Sequence, residues 1–114
     1  MSRPTDDVVW ERWRRLVNLS ADELVAWLET DESRSVGFKG YGEESVGHAA
    51  GRHTVDLIGV PRDALDADEW RHVRRTVGFI RRHRAQWPEG DVSETRWRWS
   101  LMNWGHDPLR GLTD

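Results

Sequence analysis

The sequence predicts an all-α protein that forms a single compact domain of about five helices with a tryptophan-rich core. Three observations lead to this prediction. Apolar side chains recur at helical spacing through most of the chain. Residues that start and end helices bracket those segments. The length of 114 residues suits one domain, and no repeat or low-complexity segment divides it, so we expect residues 1–114 to fold together.

The first element is predicted to be an N-terminal helical pair over residues 5–30. Thr5 is placed to cap a first helix whose apolar face includes Trp13. Ser20 and Glu23 have the spacing of a capping box, in which each satisfies a main-chain N–H of the other, and they open the second helix. The short break between these two helices favours an antiparallel or L-shaped arrangement.

A glycine-rich loop is predicted to follow over residues 31–43, where the chain contains Gly37, Gly40 and Gly42. Loops of this length in a small domain are often either functional or mobile.

The predicted helical core occupies residues 43–109, and its first helix ends at Gly59. This helix contains Gly47 and Gly51, each of which costs about 1 kcal/mol relative to alanine. The favoured interpretation is that another helix approaches closely here and fills the space with a tryptophan. The alternative is main-chain contact with a phosphate group.

The next helix is predicted to begin at Asp66, with Glu69 completing a second capping box, and to end before Pro88. Its apolar face contains Val73, Thr76, Val77, Ile80 and Trp87. Five arginines fall within an opposite arc of roughly 120°: Arg71, Arg74, Arg75, Arg81 and Arg82. Gly78 lies within this arc. Arg84 falls on the apolar side and therefore needs a partner or must extend to solvent.

The last helix is predicted from about Val92 to Asn103, with Gly105 after its end. Trp97, Leu101 and Trp104 recur at i, i+4 and i+7 and should be buried together. Trp99 and Met102 form a second stripe, whereas Arg96, Ser100 and Asn103 face elsewhere. Most of the tryptophan in this segment is therefore interpreted as core.

The charge of the chain is unevenly distributed. The net charge is −3, yet residues 70–114 contain nine basic and five acidic side chains. Because cysteine is absent, disulfides, thiolate metal sites and a cysteine nucleophile are excluded. No apolar run approaches the ~20 residues that span a bilayer, and the first residues lack a signal-peptide pattern. We therefore expect a cytoplasmic protein without membrane contact.

The spacing of chemically reactive residues does not predict an enzyme. His48 and Glu44 form an i, i+4 pair of metal-ligand type, and two ligands do not make a site. His72 and His83 are about 16 Å apart along their helix, too far for one ion. No nucleophile elbow or phosphate-binding glycine loop is present. We expect no catalytic residue, no metal and no cofactor.

The segments "SVGHAAGR", "WRHVRRTVGFIRRHRAQWPEGD" and "TRWRWSLMNWGHDP" together resemble an uncharacterised domain-of-unknown-function family. Its members are short bacterial and fungal proteins that end in Ser-Leu-x-Asn-Trp-Gly-His-Asp-Pro, and some are labelled as candidate DNA-binding proteins. The resemblance covers about residues 43–109 and carries no assigned activity. On this chain, the recurrent family positions are Gly47, His48, Gly51, Arg74, His83, Asn103, Trp104, Gly105, His106, Asp107 and Pro108.

These observations predict a non-enzymatic protein that contacts the phosphate backbone of nucleic acid through the arginines of the Asp66 helix. The expected partner is DNA, bound without sequence preference. The alternative is an interaction module or homodimer in which this arginine face meets an acidic surface. That acidic surface can be the protein's own N-terminal half, including Glu29, Asp31 and Glu32.

Overall fold

The computed structural model describes residues 4–39, 42 and 44–110, and all regular secondary structure in this part of the chain is helical, without a strand. One 3-10 turn, Arg62–Ala64, precedes the longest helix. The all-α prediction is confirmed. The α-helices are α1 (Asp6–Leu16), α2 (Ala21–Leu28), α3 (Asp31–Ser35), α4 (Val46–Leu57), α5 (Ala67–Arg84) and α6 (Arg96–Asn103).

Each helix begins at a residue whose side chain accepts a hydrogen bond from a main-chain N–H three residues further on. The capping residues are Thr5, Ser20, Thr30, Ser45, Asp66 and Thr95. Such caps contribute about 1 kcal/mol each. Both predicted capping boxes are confirmed, because Glu23 and Glu69 also bind back to the N–H of Ser20 and Asp66.

Two predicted helix boundaries are wrong. The long helix α5 ends at Arg84 rather than reaching Trp87, and α6 begins at Arg96 rather than Val92. The second difference has a local cause, because the Thr95 hydroxyl caps the N–H of Arg98 and so fixes the start of α6. The predicted terminators are confirmed at Gly59 and Gly105, whose φ angles of 84° and 99° lie in the left-handed region.

The predicted loop over residues 31–43 is wrong in its first part, which forms the short helix α3. Thr30 caps this helix at Ser33, whose buried hydroxyl donates to Asn103 at 2.5 Å. The helix is therefore held by a contact 70 residues away, which local sequence patterns do not report. Gly40 lies outside the residues that the structure describes.

The core lies where α4 and α5 cross α1 and α6. Here α1 packs on α5, α2 packs on α4, and α4 also contacts α5 and α6. One apolar cluster joins all four crossing helices. Its buried members are Val9, Trp13, Leu16, Ala50, Leu57, Val73, Val77, Ile80, Leu101 and Trp104. A smaller cluster of Leu19, Leu24 and Leu28 lies under α2.

The core is more aliphatic than predicted. Of the eight tryptophans, Trp13 and Trp104 are buried, and most of the others are partly covered at its edges. Trp87, predicted on the apolar face, is 44% exposed because α5 ends before it. In α6, Leu101 and Trp104 are buried and Trp97 packs beside them, as their spacing predicts. Within the described ranges, no helix is both long enough and apolar enough to span a membrane.

Candidate nucleic-acid interface

The arginine face of α5, defined as Arg71, Arg74, Arg75, Arg81 and Arg82, lies opposite the buried stripe of this helix. Val73, Val77 and Ile80 point into the core. Four of the five arginines are exposed, and Arg74 is half-buried. The helix thus separates apolar and cationic side chains as its periodicity predicts.

Two members of the arginine face have carboxylate partners. Arg71 pairs with Asp68 on its own helix at 2.6 Å, and both side chains are largely exposed. Arg74 pairs with Asp6 at the start of α1, and its guanidinium also lies 5.8 Å from the ring centre of Trp70. Exposed pairs such as the first contribute less than about 1 kcal/mol. Arg74 is the more firmly engaged of the two, because it also contacts an aromatic ring.

Arg75, Arg81 and Arg82 form no ion pair with any carboxylate in the described ranges. The Arg75 guanidinium lies 5.1 Å from the ring centre of Trp104, a cation–π contact that leaves its N–H groups without an anion. From the acidic N-terminal half, Asp6 alone reaches the arginine face among the described residues. Three guanidiniums are therefore available to an external anion.

Gly78 provides a bare patch of helix within this face. A methyl group added at this position would come within 2.9 Å of Nη1 of Arg82, so the Arg82 side chain lies back across the glycine. The end of a flexible arginine can move, and the half-buried main chain at Gly78 has no side chain that would keep a phosphate away.

Arg84, which the sequence places on the apolar side, finds its partner in His106. Its Nη1 lies 2.9 Å from Nε2 of His106, while Nδ1 of the same imidazole lies 2.6 Å from the carbonyl oxygen of Leu16. A carbonyl only accepts and a guanidinium only donates, so His106 is neutral, with its proton on Nδ1. Burial lowers the pKa of His106 to about 4, in agreement with this assignment.

Asp107 is held by Arg98 in a two-pronged ion pair, with distances of 3.1 and 3.0 Å. Its main chain exchanges two hydrogen bonds with the side chain of Asn18. Although burial raises the pKa of Asp107, the bonds from Arg98 and from the N–H of Leu109 outweigh it, and the net pKa is lowered. The Asp107 carboxylate also accepts a hydrogen bond from the N–H of Leu109 at 3.0 Å. Sequence reasoning missed Arg98 and Asn18, for which the chain gave no spacing signal.

The prediction that Asn103 faces away from the core is wrong, because this residue is buried. Its side-chain oxygen accepts from Nε1 of Trp27 at 2.7 Å and from the Ser33 hydroxyl, and its amide donates to the Ser33 carbonyl at 3.0 Å. Asn103 therefore joins α2, α3 and α6 through three hydrogen bonds.

Replacing Asn103 with alanine is expected to destabilise the fold by about 2–3 kcal/mol. The variant leaves the Trp27 N–H and the Ser33 hydroxyl without their acceptor, and an unsatisfied buried polar group costs about 1–3 kcal/mol. Urea unfolding measures the change. Ser100→Ala, on the same helix and half-buried, is the control and should change stability by less than about 1 kcal/mol. Equal effects of the two variants would contradict this role.

Gly47 and Gly51 allow close approach to α4 by the end of α6 and by Trp104, which directly follows it. A methyl group on Gly47 would lie 3.0 Å from Nε1 of Trp104, and one on Gly51 would collide with the carbonyl oxygen of Asn103. Both glycine faces are thus covered by protein, which agrees with the interpretation of close helix approach. The surface that the phosphate alternative requires is not open.

His48 lies between two acceptors. Nδ1 contacts the Glu44 carboxylate, and Nε2 lies 2.7 Å from the carbonyl oxygen of Leu28. Arg52 also binds Glu44, at 2.8 and 2.5 Å, and holds the pKa of that carboxyl at about 2. His48 thereby ties the start of α4 to the end of α2. In the described ranges, no group of three or more potential ligands is positioned for a metal ion.

His83 belongs to a ladder of nearly parallel rings formed by Trp104, Phe79, His83 and Trp97. Successive ring centres are 4.5, 5.0 and 6.0 Å apart. Burial lowers the pKa of His83, and its Nε2 has no hydrogen-bond partner among the described residues. The neutral ring acts here as an aromatic spacer between α5 and α6.

Comparison with known proteins places this chain in a family. A family model described as "Protein of unknown function (DUF3140)" matches residues 12–102. The match begins well before residue 43, where the sequence resemblance was expected to start. No curated protein matches the chain, and no solved structure does. Since the family model covers most of the sequence, the chain belongs to this family of proteins of unknown function.

Proposed function

We propose that this protein is a non-enzymatic, nucleic-acid-associated protein that contacts the phosphate backbone through the arginine face of α5. The observation that supports this proposal is that Arg75, Arg81 and Arg82 lie exposed on one helix face without a carboxylate partner among the described residues. Like charges grouped on one face favour binding to a polyanion. Arg71 and Arg74 contribute less, because Asp68 and Asp6 already neutralise them.

Three residues at the recurrent family positions form contacts that support a structural role for them. Asn103, His106 and Asp107 direct their polar atoms into contacts within the chain. We propose that they position α6 and the C-terminal segment behind α5, rather than acting on a substrate.

The proposal predicts weak, salt-dependent binding to duplex DNA of any sequence. Three phosphate contacts give a slope of about −2.7 for log K against log salt, so affinity should fall about 40-fold between roughly 50 and 200 mM salt. Arg75→Ala with Arg82→Ala should reduce the magnitude of that slope by about 1.8. Fluorescence polarisation with a labelled duplex measures both quantities.

The matched control removes the same charge elsewhere, by Arg15→Ala with Arg34→Ala on α1 and α3, where both side chains are exposed. This control should keep most of the affinity. If neither duplex nor single strand binds at low salt, or if the two double variants weaken binding equally, the arginine face is not a nucleic-acid interface.

One observation favours the alternative of a homodimer or interaction module. Asp6 on the acidic helix α1 already docks onto Arg74, which is the kind of contact that such an interface would repeat between molecules. A doubled mass by light scattering that Arg75→Ala with Arg82→Ala returns to the monomer value would support this alternative over the nucleic-acid proposal.

A further inference from the structure

An aromatic cleft lies beside the arginine face. It has a volume of about 230 Å³ and is mostly apolar. Its described walls include Phe38, Val46, Gly47, Phe79, Ser100 and Trp104. Pockets for drug-sized ligands have volumes of about 300–1,000 Å³, so this cleft suits a single flat ring system.

The two sides of the cleft differ in exposure. Phe38 is 76% exposed and Val46 is 46% exposed, whereas Trp104 is buried. Phe79 is fixed in the floor, because it stacks on Trp104 at 4.5 Å and on His83 at 5.0 Å. The main-chain carbonyl oxygen of Phe38 accepts from the N–H of Val46 at 2.7 Å, which places the backbone of Phe38 beside the start of α4. A ring entering the cleft would therefore meet an open aromatic face above a rigid floor.

The cleft and the unpaired guanidiniums share one side of α5. Arg75, Phe79 and Arg82 follow one another at i, i+4 and i+7, so they lie along one stripe of the helix. The guanidinium of Arg75 lies over Trp104, and that of Arg82 lies over Gly78, next to Phe79. An apolar ring in the cleft would thus have cations on the adjacent turns. This arrangement complements a ligand that joins a flat ring to a phosphate.

A polar group is also present in the cleft wall. The Ser100 hydroxyl lines the cleft and has no hydrogen-bond partner in the described part of the chain. This hydroxyl can donate to or accept from a nitrogen or oxygen at the edge of a heterocycle, whereas a phenyl ring has no such atom.

We propose that the aromatic cleft holds one unpaired base of a single-stranded nucleic acid, while its flanking phosphates contact Arg75 and Arg82. This inference rests on the proposed function and makes it specific, because a base inside a duplex cannot enter the cleft. Single strands are bound in this way elsewhere, by a cationic groove with aromatic rings on which bases stack.

The test compares three labelled oligonucleotides by fluorescence polarisation: a single strand, an abasic single strand of the same length and charge, and a duplex. The single strand is expected to bind about tenfold more tightly than the abasic strand. Phe38→Ala should abolish this difference and leave binding of the abasic strand and the duplex unchanged. Because Phe38 is largely exposed, the variant should remain folded, and circular dichroism verifies this.

Val25→Ala is the matched control, since Val25 is 44% exposed on α2, away from the cleft walls. It should leave all three affinities unchanged. Equal binding of normal and abasic strands would overturn the inference while the backbone proposal stands, and absence of all binding would overturn both. A self-association that Phe38→Ala abolishes would assign the cleft to a second copy of this chain and would also overturn the inference.

Discussion

Replacing Gly51 with alanine is expected to destabilise the protein by about 3 kcal/mol or more. The added methyl group would overlap the main-chain carbonyl oxygen of Asn103 and approach Cδ2 of Leu28 at 2.8 Å. A backbone atom cannot move aside as a flexible side chain can, so α4 must shift away from α6. Overpacking of this kind typically costs 1–3 kcal/mol and occasionally more. It outweighs the gain of about 1 kcal/mol in helix propensity.

Gly47→Ala makes the same chemical change one turn earlier in α4 and serves as the control. Its methyl group would meet Nε1 of Trp104 at 3.0 Å, which requires the indole to yield by a few tenths of an ångström. The improved helix propensity offsets part of this cost, so we expect a change within about 1 kcal/mol. Urea unfolding of both variants measures the difference. Similar stabilities for the two would show that α4 does not depend on the Gly51 contact.

The difference between these glycines shows where prediction from the sequence ends. Two glycines four residues apart in a helix indicate close approach by a neighbour, and the structure agrees at both positions. The pattern does not tell which glycine faces a carbonyl oxygen and which faces a side chain. That distinction depends on how α6 crosses α4, which is a property of the tertiary packing.

Local signals predicted the starts of α2 and α5. Ser20 with Glu23, and Asp66 with Glu69, act within one turn, so their hydrogen bonds are nearly independent of the rest of the fold. Helix α3 was missed because Ser33 is held by Asn103, across 70 residues. Asn103 was misassigned for the same reason, since a helical projection shows a face but not what covers it.

The candidate nucleic-acid interface also has some features that local sequence patterns predict and others that depend on distant parts of the chain. Periodicity predicts which arginines share a face of α5, because that depends on one helix alone. It does not predict that Asp6 neutralises Arg74 and that Trp104 supports Arg75, because both partners come from other parts of the chain. The aromatic cleft was not predicted at all, since its walls come from the segment before α4, from α4 itself, from α5 and from α6.

Stability is expected to fall as the pH decreases from about 6.5 towards 4, because His72 and His106 are buried in neutral form. Burial, with smaller effects of His53 and Arg75, lowers the pKa of His72 from 6.5 to about 4. Burial likewise lowers the pKa of His106 to about 4. The unfolded chain therefore binds more protons in this window, and stability is fully present above pH 6.5 and lost on acidification. At pH 5, each of the two lowered pKa values corresponds to a loss of about 2 kcal/mol in the free energy of unfolding, relative to its value above pH 6.5.

The contacts of His106 explain why its protonation must destabilise the folded protein. Protonation of its Nε2 would direct a second N–H at the guanidinium of Arg84, so the hydrogen bond between them would be replaced by repulsion. His72 has the hydroxyls of Thr54 and Thr76 at 2.9 and 3.2 Å from Nε2. The ring of His53 lies beside that of His72, with centres 4.1 Å apart and planes tilted by 31°. Among the described residues, no carboxylate forms an ion pair that would compensate a charge on His72.

Urea unfolding at about pH 7, 6 and 5 tests this prediction, with His72→Gln as the informative variant. Glutamine retains an acceptor for the two threonines but does not titrate, so the loss between pH 7 and 5 should fall by about half. The acidic groups act in a separate window, because Glu23 and Glu44 have pKa values of about 2 and stabilise the fold above pH 4.5. A free energy of unfolding that stays constant from pH 7 to 5 would show that both imidazoles take up protons in the folded protein as readily as in the unfolded chain. An unchanged slope in His72→Gln would show the same for His72 alone.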